Sequence, residues 1–210
     1  MKDLLVYVAD ADVMAFLRSI LNKHEALGTR SFSFDIERHP QRDAGMVQSG
    51  AELARMKKGL YSRALLMWDH HGSGRDHRQS PQDVSKEIQR KLDVFTWEGI
   101  SAAIVLVPEF EQWVWYCEAA IAAHFKVAAE QLQRWVDERA QSVGKSPQYL
   151  KTAAPKELFE HLIRERLRKT ISPRDFEGIG RGAGVNKLKE CDSFKLMSAA
   201  LQLWFPRVES

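Results

Sequence analysis

Three short apolar runs constrain what this chain can fold into. Residues 4–8 (LLVYV), 64–68 (ALLMW) and 102–107 (AAIVLV) show no polar alternation, so strands made from them must be covered on both faces. Helical spacing fills the stretches between, and strand–helix alternation of this kind builds a parallel sheet with helices packed on it. After Asp12, placed to cap a helix, Met14, Phe16, Leu17, Ile20 and Leu21 recur on one helical face. Residues 31–37 (SFSFDIE) alternate with period two and predict a strand with one wet face. Residues 43–58 read as a helix broken by Gly45 and Gly50, and 81–92 as a helix opened by Pro81, whose missing N–H is harmless there.

Beyond residue 109 strand signals vanish. Helices are expected near 109–124, 126–141, 155–169 and 192–204, with turns at 144–147 and 178–184. The expected fold is α/β: a mostly parallel sheet flanked by helices over residues 1–124, followed by a helical C-terminal appendage over 125–210. Charge divides along the same line. Through residue 125 there are fifteen Lys and Arg against seventeen Asp and Glu, and beyond it sixteen against eleven. The formal net charge of +3 is therefore the average of an acidic core that suits a cation and a basic segment that suits a polyanion. Cys117 and Cys191 by themselves make neither a disulfide framework nor a zinc site. The opening MKDLLVYVADADV has too short an apolar run for a signal peptide, and no stretch approaches the ~18 apolar residues of a membrane span. A cytoplasmic protein without a membrane partner is expected.

Open α/β sheets bind their ligands beyond the carboxyl ends of the strands, where helix N-termini and loops converge. Here those ends carry Asp10 and Asp12, then Asp69, His70 and His71, then Glu109 and Glu111. If the strands are neighbours, these acids share one crevice, and such a cluster is ordinarily neutralised by a divalent cation. Mg²⁺ or Mn²⁺ on such ligands polarises a phosphodiester and activates water, which is nuclease chemistry; His71 would favour Mn²⁺. Asp69, Glu109 and Glu111 are the candidate metal ligands, with Asp10 and Asp12 as further ligand or general base and His71 as auxiliary ligand or proton carrier. Each acid also has an ordinary use: Asp12 as a cap, Asp69 as a turn former, Glu109 and Glu111 as first-turn residues favoured by the helix dipole.

The loop HHGSGRDHRQSP after the second apolar run places Arg75 and Arg78 beside the expected crevice, as phosphate contacts or as solvated loop residues. Its histidines match no closed zinc spacing. GIGRGAG at 178–184 follows no strand and lacks the Lys-Ser or Lys-Thr pair of a phosphate loop, so a flexible turn is expected, with Arg181 as a further phosphate contact. HLIRERLRKT at 161–170 is a basic helix whose arginines either track a phosphate backbone or form its wet face. Trp113, Tyr116, Ile121 and Phe125 recur near helical spacing, as packing residues do.

Taken in order, LLVYVADADVMAFLRSIL, ALLMWDHHGSG, AAIVLVPEFEQWVW, SPQYLKTAAPKEL and the Ser193–Phe194 pair resemble a Toprim-type domain. They resemble in particular a Toprim-like family of uncharacterised proteins in bacterial anti-phage defence loci, related to overcoming-lysogenization-defect-type nucleases and often encoded beside ATPases. The resemblance implies a metal-dependent nuclease acting on nucleic acid, DNA above all, with Mg²⁺ or Mn²⁺ and a possible ATPase partner. It says nothing of oligomeric state. Two positions depart from the pattern. The glutamate expected at the end of the first strand is Val8 or Ala9, so Asp10 would have to serve, and the Asp-x-Asp is Asp69, His70, His71. A catalytically silent Toprim-like module that binds an ATPase or nucleic acid is therefore the alternative.

Overall fold

A computed structural model describes residues 1–207. The three apolar runs and the alternating one form strands β1 (Lys2–Val8), β2 (Phe34–Arg38), β3 (Tyr61–Asp69) and β4 (Ser101–Leu106). All pair in parallel, in the spatial order β2-β1-β3-β4. Val6 lies opposite both Ile36 and Leu65, and Met67 opposite Ile104, so the carboxyl ends of β1, β3 and β4 finish side by side.

The helices connecting the strands are α1 (Ala11–Leu21), α2 (His24–Leu27), α3 (Arg42–Met56) and α4 (Pro81–Leu92). After β4 come α5 (Glu111–Trp115), α6 (Glu118–Phe125), α7 (Ala129–Ser142), α8 (Pro147–Ala153), α9 (Pro155–Leu167), α10 (Pro173–Gly182), α11 (Val185–Leu188) and α12 (Asp192–Trp204). None among the described residues is long and apolar enough to cross a membrane.

Side chains alternate along a strand, so each strand feeds two cores. Leu5, Tyr7, Leu66 and Trp68 face α3 and α4, meeting Met46, Val47, Val84 and Ile88. Leu4, Val6, Leu65 and Met67 face the other way, onto Phe16 and Leu17 of α1 and onto Phe159, Phe176 and Phe194 from the C-terminal helices. This second core runs unbroken past residue 124: Ile121 and Phe125 belong to it together with Leu4 and Leu65.

The segment at 178–184 is not a flexible turn. Gly178, Gly180 and Gly182 lie inside α10, and their missing side chains let that helix approach α1 and α6 closely. A Cβ on Gly180 would stand 2.9 Å from the Phe16 carbonyl oxygen and 3.1 Å from Ser19 Cβ, while one on Gly178 would overlap the His124 ring. Helix propensity favours alanine over glycine, and a clash with backbone outweighs it. Gly180→Ala is expected to destabilise by about 1–3 kcal/mol, lowering the melting temperature by roughly 3–10 °C. Gly184→Ala, with open space around its Cβ, should stay within about 2 °C of the parent. Equal effects at both positions in a thermal melt would contradict the packing account.

Two contacts tie the EFEQW segment to later helices. Trp113 donates through Nε1 to Ser193 Oγ at 2.7 Å and meets Phe194 edge to face at 4.9 Å. Trp115 donates to the carbonyl of Pro155 at 2.9 Å, which fixes the start of α9 beside the end of α5.

Candidate functional site

The chain leaves β1 toward the face that carries α1 and leaves β3 toward the face that carries α4. Where neighbouring strands send their connections to opposite faces, a crevice opens beyond their carboxyl ends. Asp10 and Asp69 stand at this switch point, and Glu109 and Glu111 follow the adjacent β4.

Asp10, not Asp12, caps α1: its Oδ1 accepts from the backbone N–H of Asp12 at 3.0 Å and of Val13 at 2.9 Å. Asp12 sits in the first turn, where burial and the neighbouring Asp10 push its carboxyl up to about 6, against the pull of Lys156 and Arg42. Asp69 is buried at the end of β3 and its Oδ1 accepts from the Phe110 N–H at 2.8 Å. Its own N–H donates to Asp43 Oδ1 at 2.8 Å, so an acid from the start of α3 joins the group. Burial holds Asp69 well above the usual carboxylate range, and Asp43, Glu111, Asp10 and Glu109 add to the shift. Burial likewise raises Asp43, partly offset by the Asp69 N–H and reinforced by Asp10.

Glu109 and Glu111 are both buried. Glu109 Oε1 lies 2.9 Å from His71 Nδ1, while the His71 N–H donates to the Pro108 carbonyl at 3.1 Å. Burial pushes Glu111 up to about 8 in spite of Lys156, with Glu109 and Asp10 adding to it. Lys156, in the first turn of α9, is the counter-charge: burial depresses its ammonium, and Glu111, Glu109 and Asp69 outweigh that and hold it above the ordinary lysine range.

Asp10, Asp43 and Asp69 each use Oδ1 for backbone bonds and keep Oδ2 outside them. This is a donor set of hard oxygens with one imidazole at its edge, and it suits Mg²⁺ or Mn²⁺ in chemical type. No three His, Cys, Asp or Glu side chains among the described residues already stand in a ligating arrangement. Beside the acids a cleft of about 290 Å³ is bounded by Asp12, Glu111, Phe159, Arg164, Lys169 and Phe176.

Of the expected phosphate contacts, Arg75 is engaged on its own loop and α4, donating to Gln79 Oε1 at 2.8 Å and pairing with Glu87 at 3.6 Å. Arg78 is exposed on the same loop. Arg181 stands apart from the acids: Lys23, beyond the far end of α1, donates to its carbonyl at 2.8 Å. Sequence reasoning passed over Asp43 and Lys156. Asp43 follows a strand end like the other acids, and that position was its available signal; Lys156 has none, since only folding brings it to Glu111.

No family model, curated protein or solved structure matches this chain.

Proposed function

We propose that this chain is a Toprim-like, divalent-metal-dependent nuclease that hydrolyses nucleic-acid phosphodiesters in the cytoplasm as part of an anti-phage defence system. The observation that carries the reading is Asp69, a buried carboxyl at the switch point of a parallel sheet that feels four other acids. Repulsion of that kind opposes folding, and sites that bind cations or do acid–base chemistry accept it. Asp69, Glu109 and Glu111 would hold Mg²⁺ or Mn²⁺, with Asp43 or Asp10 adding an oxygen. The ion, when bound, polarises the phosphodiester and lowers the pKa of water.

The chain's own groups have distinct tasks. Asp12, titrating at about 6, is mostly ionised at neutral pH yet basic enough to accept a proton, which suits a general base. Glu109 orients the His71 ring through Nδ1 and leaves Nε2 to carry a proton toward a departing oxygen. Lys156 limits repulsion among the acids while no cation is present. The setting in defence and an ATPase partner rest on the resemblance.

One observation favours a second reading. The carboxylate nearest the first strand, Asp10, has an oxygen committed to the cap of α1, as in a module that has kept the fold without the reaction. Supercoiled plasmid and single-stranded DNA incubated with Mn²⁺ or Mg²⁺ decide between the two. Metal-dependent cleavage that EDTA stops is the expected result. Its absence at high protein concentration, with and without an ATPase from the same locus, would leave the silent module.

A further inference from the structure

Arg75, Arg78 and Arg181 do not border the acid cleft, whereas Arg164 of the basic helix and Lys169 do, with Glu160 between the acids and Arg164 on the same helix. Along α9, Lys156, Glu160 and Arg164 recur every fourth residue and so share one face. Lys156 acts on Glu111 through its charge without forming an ion pair, and Arg164, two turns further and about 12 Å along the axis, borders the cleft that Glu111 lines. The chain then reverses. Arg168 adopts the left-handed conformation with φ of 54°, and the Lys169 N–H donates to the Ile163 carbonyl at 3.3 Å. This turn brings Lys169 and Thr170 onto the cleft that Arg164 borders. Among the described residues Arg164 pairs only with its sequence neighbour Glu165, at 3.0 Å, and Lys169 has no ion pair, its ammonium standing 5.8 Å from the Phe125 ring centroid. Such cations remain available to an incoming anion.

We propose that Arg164, Lys169 and Thr170 form a strand-binding rim that holds phosphates flanking the one presented to Asp69 and Glu111. The inference deepens the nuclease reading and rests on it for the identity of the presented group. An extended polyanion fits better than a mononucleotide. Arg164 stands about two helical turns beyond Lys156 along α9, whereas successive phosphates of one strand advance about 3.4 Å. A ligand that reaches both must therefore carry several phosphates. The excess of basic residues beyond position 125 gives the same preference.

The test is fluorescence anisotropy with a labelled single strand of about 20 nucleotides and its duplex, in EDTA, between about 50 and 200 mM KCl. Removing both charges in Arg164→Ala/Lys169→Ala should weaken binding at low salt at least tenfold. The slope of log affinity against log salt should become shallower by about 1.4 on the single strand or 1.8 on the duplex. Both side chains are exposed, so the variant's melting temperature should match the parent's, and Arg181→Ala should bind as the parent does. Unchanged affinity and slope in the double variant, an equal loss in Arg181→Ala, or displacement of the strand by an equal molar concentration of thymidine monophosphate would overturn the rim. The cleavage assay is read separately. Rim-dependent binding without cleavage keeps the rim and removes the nuclease reading; cleavage without rim dependence does the reverse.

Discussion

Asp69→Asn is expected to reduce metal-dependent cleavage by about 10³-fold and, in the same protein, to raise the melting temperature measured without metal at pH 8. Both effects follow from one exchange. Asparagine keeps an Oδ1 that can accept from the Phe110 N–H, so the turn between β4 and α5 retains its 2.8 Å anchor. What disappears is the cost, at pH 8, of keeping at this position either a charge that burial, Asp43, Glu111, Asp10 and Glu109 oppose or the proton that neutralises it, and the new amide is a donor those acids can use. The charge also gives the site its attraction for a cation, so stability and activity should move in opposite directions. Asp69→Ala separates the effects: it removes the charge and the acceptor together, and an orphaned buried N–H costs about 1–3 kcal/mol. The alanine protein should therefore be inactive and less stable than the asparagine one. Cleavage by Asp69→Asn within tenfold of the parent would exclude Asp69 as a ligand, and a lower metal-free melting temperature would show that its charge is compensated in the fold.

The parts of this arrangement legible in the sequence are those fixed by short-range pattern. Runs buried on both faces gave β1, β3 and β4, and the acids that follow them did converge at one edge. The alternating run begins its strand later than its pattern suggests, at Phe34. Phe32 stacks on Phe205 at 4.4 Å, and the Ser33 N–H is taken by the Asp3 carboxylate while its carbonyl still accepts from the Leu4 N–H at 3.0 Å, so the regular ladder starts one residue later. GIGRGAG was misread because glycine has two uses that look alike in a sequence: adopting positive φ in a turn and admitting a close neighbour in a helix. Only the position of Phe16 and His124, more than fifty residues away in sequence, distinguishes them. Lys156 was illegible for the same kind of reason. It reaches the acids because Trp115 holds the carbonyl of Pro155, a contact that joins α5 to α9 across forty residues.

In the resting cleft Asp69 and Glu111 thus hold their protons to higher pH than ordinary carboxyls do, with Lys156 as a lysine counter-charge. An acid whose carboxyl is raised in the folded protein binds its proton more tightly there than in the unfolded chain. Its contribution is fully present below the unfolded value and is lost as pH rises through the folded value. Glu111 goes from 4.5 to about 8, and Asp12 from 3.8 to about 6, so the window of decline runs from about pH 4 to 8.

Each unit of displacement is worth about 1.4 kcal/mol. After allowance for solvent relaxation, the metal-free protein should lose on the order of 3 kcal/mol between pH 5 and 8.5, or roughly 6–12 °C in melting temperature. Binding a cation releases those protons, so Mn²⁺ or Mg²⁺ should stabilise the protein strongly at pH 8.5 and little at pH 5, where protons already occupy the oxygens. Glu111→Gln removes the larger of these two displacements and should flatten the decline by about half or more, while leaving stability at pH 5 near that of the parent. Thermal melts across this range, with and without cation, read all three effects. A decline of equal steepness in Glu111→Gln would assign the pH dependence to groups outside the cleft. A cation effect independent of pH would mean that the ion binds elsewhere, because an ion on these carboxylates has to displace their protons.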